Sequence, residues 1–528
     1  MTAPFLAGVG RVDITCREDV TLDALLPEKN KKDLPPFLLG LKLEVADPLY
    51  VRALVLDDGS RRIVLLTMDV TAIGARSISQ DILWDSADDF MPRLRQRLER
   101  ELQIPGEHVS VTASHAHGVP RMLCSDQDQL DRAVQAVRQA VNSLTPVTVG
   151  VGSGHEDSLT FNRTMMMKDG SDYTLRGCNP PPPDDQVAGL RPIDPQIGII
   201  RIDRLDGTPL ALVYNFATHL LLGPPNGRSG QISADHVGVT LNYLDENLGH
   251  GAMAFFLQGA LGDVAEVSKC DTEHPRNPAD FGSKLGQSVL AGYRRIKTGS
   301  AQVRVVTRTI NLPLRTDIPD FIAALRAEQA QLQASLRYTN LNFKTFLPLY
   351  LKYGLHESHP AHPAYRYLQA RDCGNPLFER QDVRNRRSVA KYLESLEAME
   401  RMARNEEKIA TLQRHLDIIQ GLGTTHVAAE IKGIRIGEAF LLITPMELLS
   451  EIGLNLKKRS PFAQTQVVCI SNGYLHYAPP ASYYPRGGYE VTECILAPQW
   501  QQVFEAAAAE LFSQMQRLEA QPVAGARA

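Results

Sequence analysis

Val51-Arg-Ala-Leu-Val-Leu-Asp-Asp-Gly-Ser-Arg-Arg-Ile-Val-Leu-Leu-Thr-Met-Asp69 reads as two apolar strands folded back on one another. Asp57-Asp-Gly-Ser60 supplies the turn, because Asp-Gly between apolar runs adopts the left-handed backbone that a tight hairpin needs. The return run Ile63–Met68 is almost continuously apolar, a pattern that fits a strand buried on both faces. It delivers a polar residue, Asp69, just past its end.

The same grammar recurs along the chain. Gly198-Ile-Ile-Arg-Ile202 turns at Asp206-Gly-Thr208 and returns through Leu210–Phe216 to His219; Ala429–Ile436 turns at Gly437-Glu438 and returns through Ala439–Thr444 to Glu447. Two further strands, Val109–Thr112 and Val467–Ile470, lead to His115 and His117 and to Asn472-Gly-Tyr-Leu-His-Tyr477. Five strand ends thus supply Asp69, His115 with His117, His219, Glu447 and Tyr477, at the rim of a core where binding groups collect. In Val109-Ser-Val-Thr-Ala-Ser-His-Ala-His-Gly-Val-Pro120 the two histidines stand two apart. On an extended segment such side chains point the same way, so the pair presents two imidazoles to one point, as a metal or proton-transfer site requires. The pair taken alone also fits a solvated loop, or one core histidine beside an exposed one.

A different texture occupies the region from Ile318 to Leu422. Phe321-Ile-Ala-Ala-Leu-Arg-Ala-Glu-Gln-Ala-Gln-Leu332 and Val389-Ala-Lys-Tyr-Leu-Glu-Ser-Leu-Glu-Ala-Met399 carry helical spacing, which predicts a helical hairpin inserted in the body. His356-Glu-Ser-His-Pro-Ala-His362 interrupts it and reads as a solvated loop. The predicted fold class is α/β, a mixed multi-sheet catalytic domain of β-hairpins with surrounding helices. Residues 1–317 and 426–528 make the catalytic domain, the latter ending in a helix, and 318–425 make the insert. Met165-Met-Met167 reads as core or as an adaptable apolar wall beside a site, and the prolines of Cys178-Asn-Pro-Pro-Pro-Pro183 as a stiff extended loop.

Composition removes several function classes. A formal net charge of -4, with 43% hydrophobic and 22% charged residues, leaves no basic footprint for nucleic acid or an anionic membrane. No uncharged apolar run reaches the roughly 18 residues of a membrane span, so no stable membrane insertion is expected. The amino-terminal residues lack a signal-peptide pattern, and the 7 cysteines, without a CxxC pair, fit reduced thiols, so the expected location is cytoplasmic. The expected partner is a small molecule; a homo-oligomer is compatible with this composition.

Taken in order, a set of blocks resembles the neutral and alkaline, non-lysosomal ceramidase superfamily in its amino-terminal amidohydrolase domain. They are Ala7-Gly-Val-Gly-Arg-Val-Asp-Ile-Thr15, Ala113-Ser-His-Ala-His-Gly118, Asn162-Arg163, Asn215-Phe-Ala-Thr-His219, Ser233-Ala-Asp-His-Val-Gly238 and Phe256-Leu-Gln-Gly-Ala-Leu-Gly-Asp-Val264. Pro445-Met-Glu447, Asn472-Gly-Tyr-Leu-His-Tyr477 and Gly487-Gly-Tyr-Glu490 complete the set. The resemblance implies a zinc ion held by His115, His219, Glu447 and Tyr477, a donor set that suits a borderline cation. It implies that His117 stays off the metal and acts on the attacking water or the oxyanion, and that Arg163 and Tyr489 contact the scissile carbonyl or tetrahedral intermediate. Asp235, Asp69 and Asn162 are expected in substrate contact or behind the ligands; for both aspartates a buried cap at a turn or strand end is an equal reading.

Departures from the family pattern bear on the chemistry. The family serine after Gly-Asp-Val is Ala265 here, which leaves metal-activated water as the expected nucleophile. The glycine of Pro-Gly-Glu is Met446, and the signal peptide and carboxy-terminal immunoglobulin-like domain of the secreted enzymes are not found in the sequence. The expected function is a zinc-dependent hydrolase of an amide, or of an ester or lactone, in a soluble substrate. The alternatives are a zinc-dependent lyase or isomerase on the same scaffold, and a non-catalytic binding protein that works through the helical insert.

Overall fold

The computed structural model describes residues 4–15, 21, 40, 44–74, 86–117, 125–175, 182–225, 231–267, 277–356, 358–360 and 362–520. Gly118, Cys16, Cys124, Cys270 and the Cys178–Pro181 part of the proline loop lie outside the described residues. Two compact units are present, Met1–Arg315 with Ile418–Ala528, and Thr316–Asp417.

The larger unit is built on two mixed sheets. Its eight-stranded sheet uses β1 (Leu6–Asp13), β2 (Tyr50–Asp57), β3 (Arg62–Met68), β4 (Val109–Ala113), β5 (Thr145–His155), β6 (Gln196–Arg204), β7 (Pro209–Phe216) and β8 (Met253–Gln258). Their order across the sheet is β8-β7-β6-β5-β1-β2-β3-β4. The four-stranded sheet runs β9 (Val303–Pro313), β10 (His426–Ile436), β11 (Ala439–Ile443) and β12 (Gln464–Val468). All three hairpins form in antiparallel register: Val51 lies opposite Met68, Gly198 opposite Asn215, and Ile436 opposite Ala439.

Period-two alternation explains why these strands are apolar throughout. In β2, Val51, Ala53 and Val55 join one core while Leu54 and Leu56 join another. The second core is made by facing strands of both sheets: Leu54, Ile63, Ile200, Val213 and Phe255 come from the large sheet, and Ile434, Leu441 and Val468 from the small one. The outer faces are covered by helices α1 (Phe90–Leu102), α2 (Asp126–Asn142), α3 (Asp235–Leu248) and α4 (Pro278–Tyr293), and on the small sheet by the carboxy-terminal helix Trp500–Ala520. The central strands β2, β3, β4, β7 and β11 are therefore buried on both faces, and the candidate site residues stand beyond strand ends.

Within the smaller unit, α5 (Ile318–Ser335), α6 (Phe343–Leu355), α7 (Ala364–Asp372) and the long α8 (Leu377–Leu422), as far as Asp417, make four helices where the spacing predicts two. The additional pair is short, and α6 carries Pro348 in its interior, so neither gives a clear periodic signal. An Asn342–Thr345 capping box starts α6, and the hydroxyls of Tyr353 and Tyr367 both donate to Asp382, at 2.7 and 2.6 Å. Gln329 of α5 reaches Glu406 of α8 at 2.9 Å, so these two helices lie side by side. His356 and His359 form the turn after α6, where the ring Nδ1 of His356 accepts the His359 amide at 2.9 Å.

Two stability predictions come from this arrangement. Phe440 is fully buried and stacks on Phe462 at 4.7 Å. Phe440→Ala is expected to cost about 3–5 kcal/mol, read as a lower denaturation midpoint. Asp69, at the end of β3, accepts the Tyr50 amide at 2.8 Å, and burial raises its pKa from 3.8 to about 6. Between those values the native state holds a proton that the unfolded chain has released, so this group makes stability fall as pH rises from about 4 to about 6, with no further change above. Asp69→Asn removes that slope, and denaturation midpoints of both proteins across this range measure it; parallel profiles would refute the assignment.

Candidate metal centre

Three pairs of parallel strands converge on one region. β3 runs parallel to β4, β7 to β8, and β11 to β12. The residues of interest follow the carboxyl ends of these strands, where open α/β sheets leave room for a ligand. Buried loops must satisfy their backbone groups, and here they do so on one another. Ala113 donates to the Ile470 carbonyl at 3.1 Å, Cys469 to that of Gln258 at 2.9 Å, and Gly262 to that of Leu448 at 3.0 Å. The Gln258 amide side chain adds a bond to the Ser114 carbonyl at 3.0 Å.

His115 has φ 70°, a left-handed backbone that is costly for a residue with a side chain. Its amide is held by the Val70 carbonyl at 3.0 Å and its Nδ1 by the Thr71 carbonyl at 2.8 Å. His219 is anchored alike, with Nδ1 at 3.1 Å from the Leu261 carbonyl and 3.0 Å from that of Val264. A ring nitrogen facing a carbonyl carries the proton, which leaves the Nε2 lone pair as the donor to a metal. The Nε2 atoms of His115 and His117 are 3.1 Å apart. Ligand nitrogens of His115, His117 and His219 all lie within 4.8 Å of one another, so the three could hold a metal ion. The two histidines of the pair do meet at one point, but through the left-handed kink at His115 rather than through extended alternation. His115 and His219 are each 1% exposed, whereas His117 is half-buried.

Glu447 brings the negative charge. Its Oε1 is 3.5 Å from His115 Nε2, and its Oε2 is 3.7 Å from His219 Nε2. The residue is 1% exposed; Tyr474 donates its hydroxyl to Oε1 at 2.5 Å, while Oε2 has no hydrogen-bond partner among the described residues. A buried carboxylate oxygen without a donor is expensive unless a cation satisfies it, so the residues present fit a metal. Tyr477 lies opposite Glu447 in a two-residue parallel pairing. Burial, and then the Glu447 carboxylate, push its phenol well above the ordinary value.

A second cluster adjoins Tyr477. Arg163, 5% exposed, donates Nε to Glu490 at 2.9 Å, and Nη2 to the Gly262 carbonyl at 2.6 Å and the Tyr477 hydroxyl at 3.2 Å. Burial acts to lower its pKa, but Tyr477, Glu490 and Tyr489 outweigh that and hold it well above the ordinary value. The Tyr489 ring stands 5.5 Å from that of Tyr477, with the Arg163 guanidinium 5.3 Å from its centre.

Contacts thus run from His115, His117 and His219 through Glu447 and Tyr477 to Arg163 and Tyr489. The other three residues singled out in the sequence bond elsewhere. Asn162 donates to Asp263 at 2.7 Å and to the Pro192 carbonyl at 2.8 Å; Asp235, at the start of α3, accepts the amides of Gly223 and His236, each at 2.6 Å; Asp69 accepts that of Tyr50. Sequence reasoning passed over Glu490 and Tyr474, although both lie inside quoted blocks. A charged residue directly after Tyr489 was the available signal for Glu490; none distinguished Tyr474 from its neighbours. Ala265 is buried and pairs with Phe161 across a short antiparallel bridge, so its position presents no hydroxyl.

No protein-family model matches the sequence, and no curated protein matches it. Solved structures do match. Against neutral ceramidase from Pseudomonas aeruginosa the identity is 15%, with 99% of this chain and 76% of that chain covered and a TM-score of 0.58. Against a ceramidase complexed with C2 the identity is again 15%, covering 99% of this chain and 77% of that one, with a TM-score of 0.59. The chain has the fold of the neutral ceramidases over almost its whole length.

Proposed function

We propose that this protein is a zinc-dependent hydrolase that cleaves an amide bond in a small soluble substrate. The observation that carries the reading is the buried Glu447 Oε2, which lacks a hydrogen-bond partner and faces a histidine whose Nδ1 is fixed on backbone carbonyls. His115, His219, Glu447 and Tyr477 would hold the metal. When bound, zinc supplies a Lewis acid for the carbonyl and lowers the pKa of water toward neutrality. The remaining steps belong to side chains. His117, half-buried where its neighbours are closed off, takes the proton from the attacking water and passes it to the departing amine. Arg163 donates to the oxygen that becomes negative, and Tyr489 adds a phenol beside it. The pairing of Arg163 with Glu490 fixes the guanidinium before substrate arrives and makes the pair neutral overall, which suits an uncharged amide. Ala265 offers no side-chain nucleophile, which supports water in that role.

His115→Ala, His219→Ala and Glu447→Ala are expected to lower metal content and turnover together, measured by elemental analysis and initial rates. His117→Ala is expected to retain metal and lose about 10²–10⁴-fold in rate; stoichiometric loss of metal in this variant would make His117 a ligand. Arg163→Gln is expected to lower kcat by about 10²–10³-fold with metal retained. Solvent labelled with ¹⁸O separates hydrolysis from lyase or isomerase chemistry: label enters the product acid if water attacks, and its absence overturns the hydrolase assignment.

A further inference from the structure

We infer that Tyr474 is the positioning residue for the carboxylate of the metal centre, an inference that rests on the metal-site reading above. Glu447 carries two oxygens in unlike settings. Oε1 accepts the Tyr474 hydroxyl at 2.5 Å and lies 3.5 Å from His115 Nε2; Oε2 is buried, lacks a hydrogen-bond partner among the described residues and lies 3.7 Å from His219 Nε2. One strong donor on one oxygen removes the two-fold ambiguity of a carboxylate and leaves Oε2 as the ligand oxygen. A phenol donating to an anion is a charge-assisted bond, stronger than a neutral one and short, as observed.

The surroundings hold Tyr474 in place. It is 9% exposed, packs in the main core, and its ring lies 5.0 Å from that of His476 and 6.4 Å from that of His115. The backbone around it is held as well: Leu475 donates to the Pro445 carbonyl at 2.9 Å, and Glu447 donates to that of His476 at 3.0 Å. Tyr474 and Glu447 are therefore fixed on each other by main chain on both sides, and the hydroxyl is the part that reaches the carboxylate. His115 and His219 have their Nδ1 atoms on backbone carbonyls; Tyr474 does for the glutamate what those carbonyls do for the imidazoles. Outer partners of this kind typically contribute about 10–100-fold in metal affinity.

The test uses the full-length protein, stripped with a chelator and titrated with zinc against a competing indicator. Tyr474→Phe removes one oxygen and keeps the ring. It is expected to weaken zinc binding about 10–100-fold, with the metal-free protein still folded by circular dichroism though melting at a lower temperature, and with turnover at saturating zinc reduced far less than affinity. Should the phenylalanine variant fail to fold, Tyr474→Met also lacks the hydroxyl, fills the space with a flexible chain, and is expected to show the same loss. Zinc affinity equal to that of the unaltered protein, alongside weakened binding in Glu447→Ala, overturns the role of Tyr474. Unchanged affinity in Glu447→Ala and His219→Ala as well overturns the metal site itself, so the two failures are distinct.

Discussion

The constraint on which this structure turns is a carboxylate in a place that water does not reach. Glu447 is 1% exposed, and one of its oxygens has no hydrogen-bond partner among the described residues. Leaving such a charge uncompensated in a protein interior costs several kcal/mol, a cost that a cation held among the neighbouring imidazoles would relieve. The neighbouring donors agree with that account. Two imidazoles are turned by backbone carbonyls so that Nε2 faces the carboxylate, and a phenol holds its other oxygen.

Those groups can meet because the fold spends its apolar residues on both faces of every central strand. Polar side chains within the strands are few, among them the buried Arg52 and Lys432, and the candidate site residues stand where strands end. Three parallel pairs place their carboxyl ends together, and loops beyond them bond to one another rather than to solvent. The distance between sequence-remote residues is thereby fixed by sheet geometry: Glu447 and Tyr477 sit opposite each other in register, and Cys469 follows β12 onto the Gln258 carbonyl at the end of β8.

Much of this was legible in the chain because it depends on local patterns. Asp-Gly and Gly-Glu turns between apolar runs predict the three hairpins, and the polar residue after each return strand predicts Asp69, His219 and Glu447 as candidates. Which candidates converge was legible only through the family resemblance, since it depends on strand order, which local patterns do not encode. Asp69 ends β3 next to β4, yet it bonds the Tyr50 amide of β2 and serves the sheet. Tyr474 and Glu490 escaped for a related reason: their partners, Glu447 and Arg163, lie 27 and 327 residues away, and no periodicity encodes a contact of that kind. In the smaller unit, α6 and α7 escaped because an interior proline and short length blur helical spacing.

The His-Ala-His segment departs from the extended geometry that its spacing suggests. Extended alternation would point both imidazoles one way but would leave them side by side, about 7 Å apart along the strand. The observed Nε2 separation of 3.1 Å brings the two ring tips together, and here the segment between them carries a left-handed backbone at His115. That conformation costs of order 1–3 kcal/mol, and it persists because the Val70 and Thr71 carbonyls hold the residue from both amide and ring. The two side chains also stand in different surroundings: His115 is 1% exposed with its Nε2 3.5 Å from the Glu447 carboxylate, whereas His117, identical and two residues on, is half-buried.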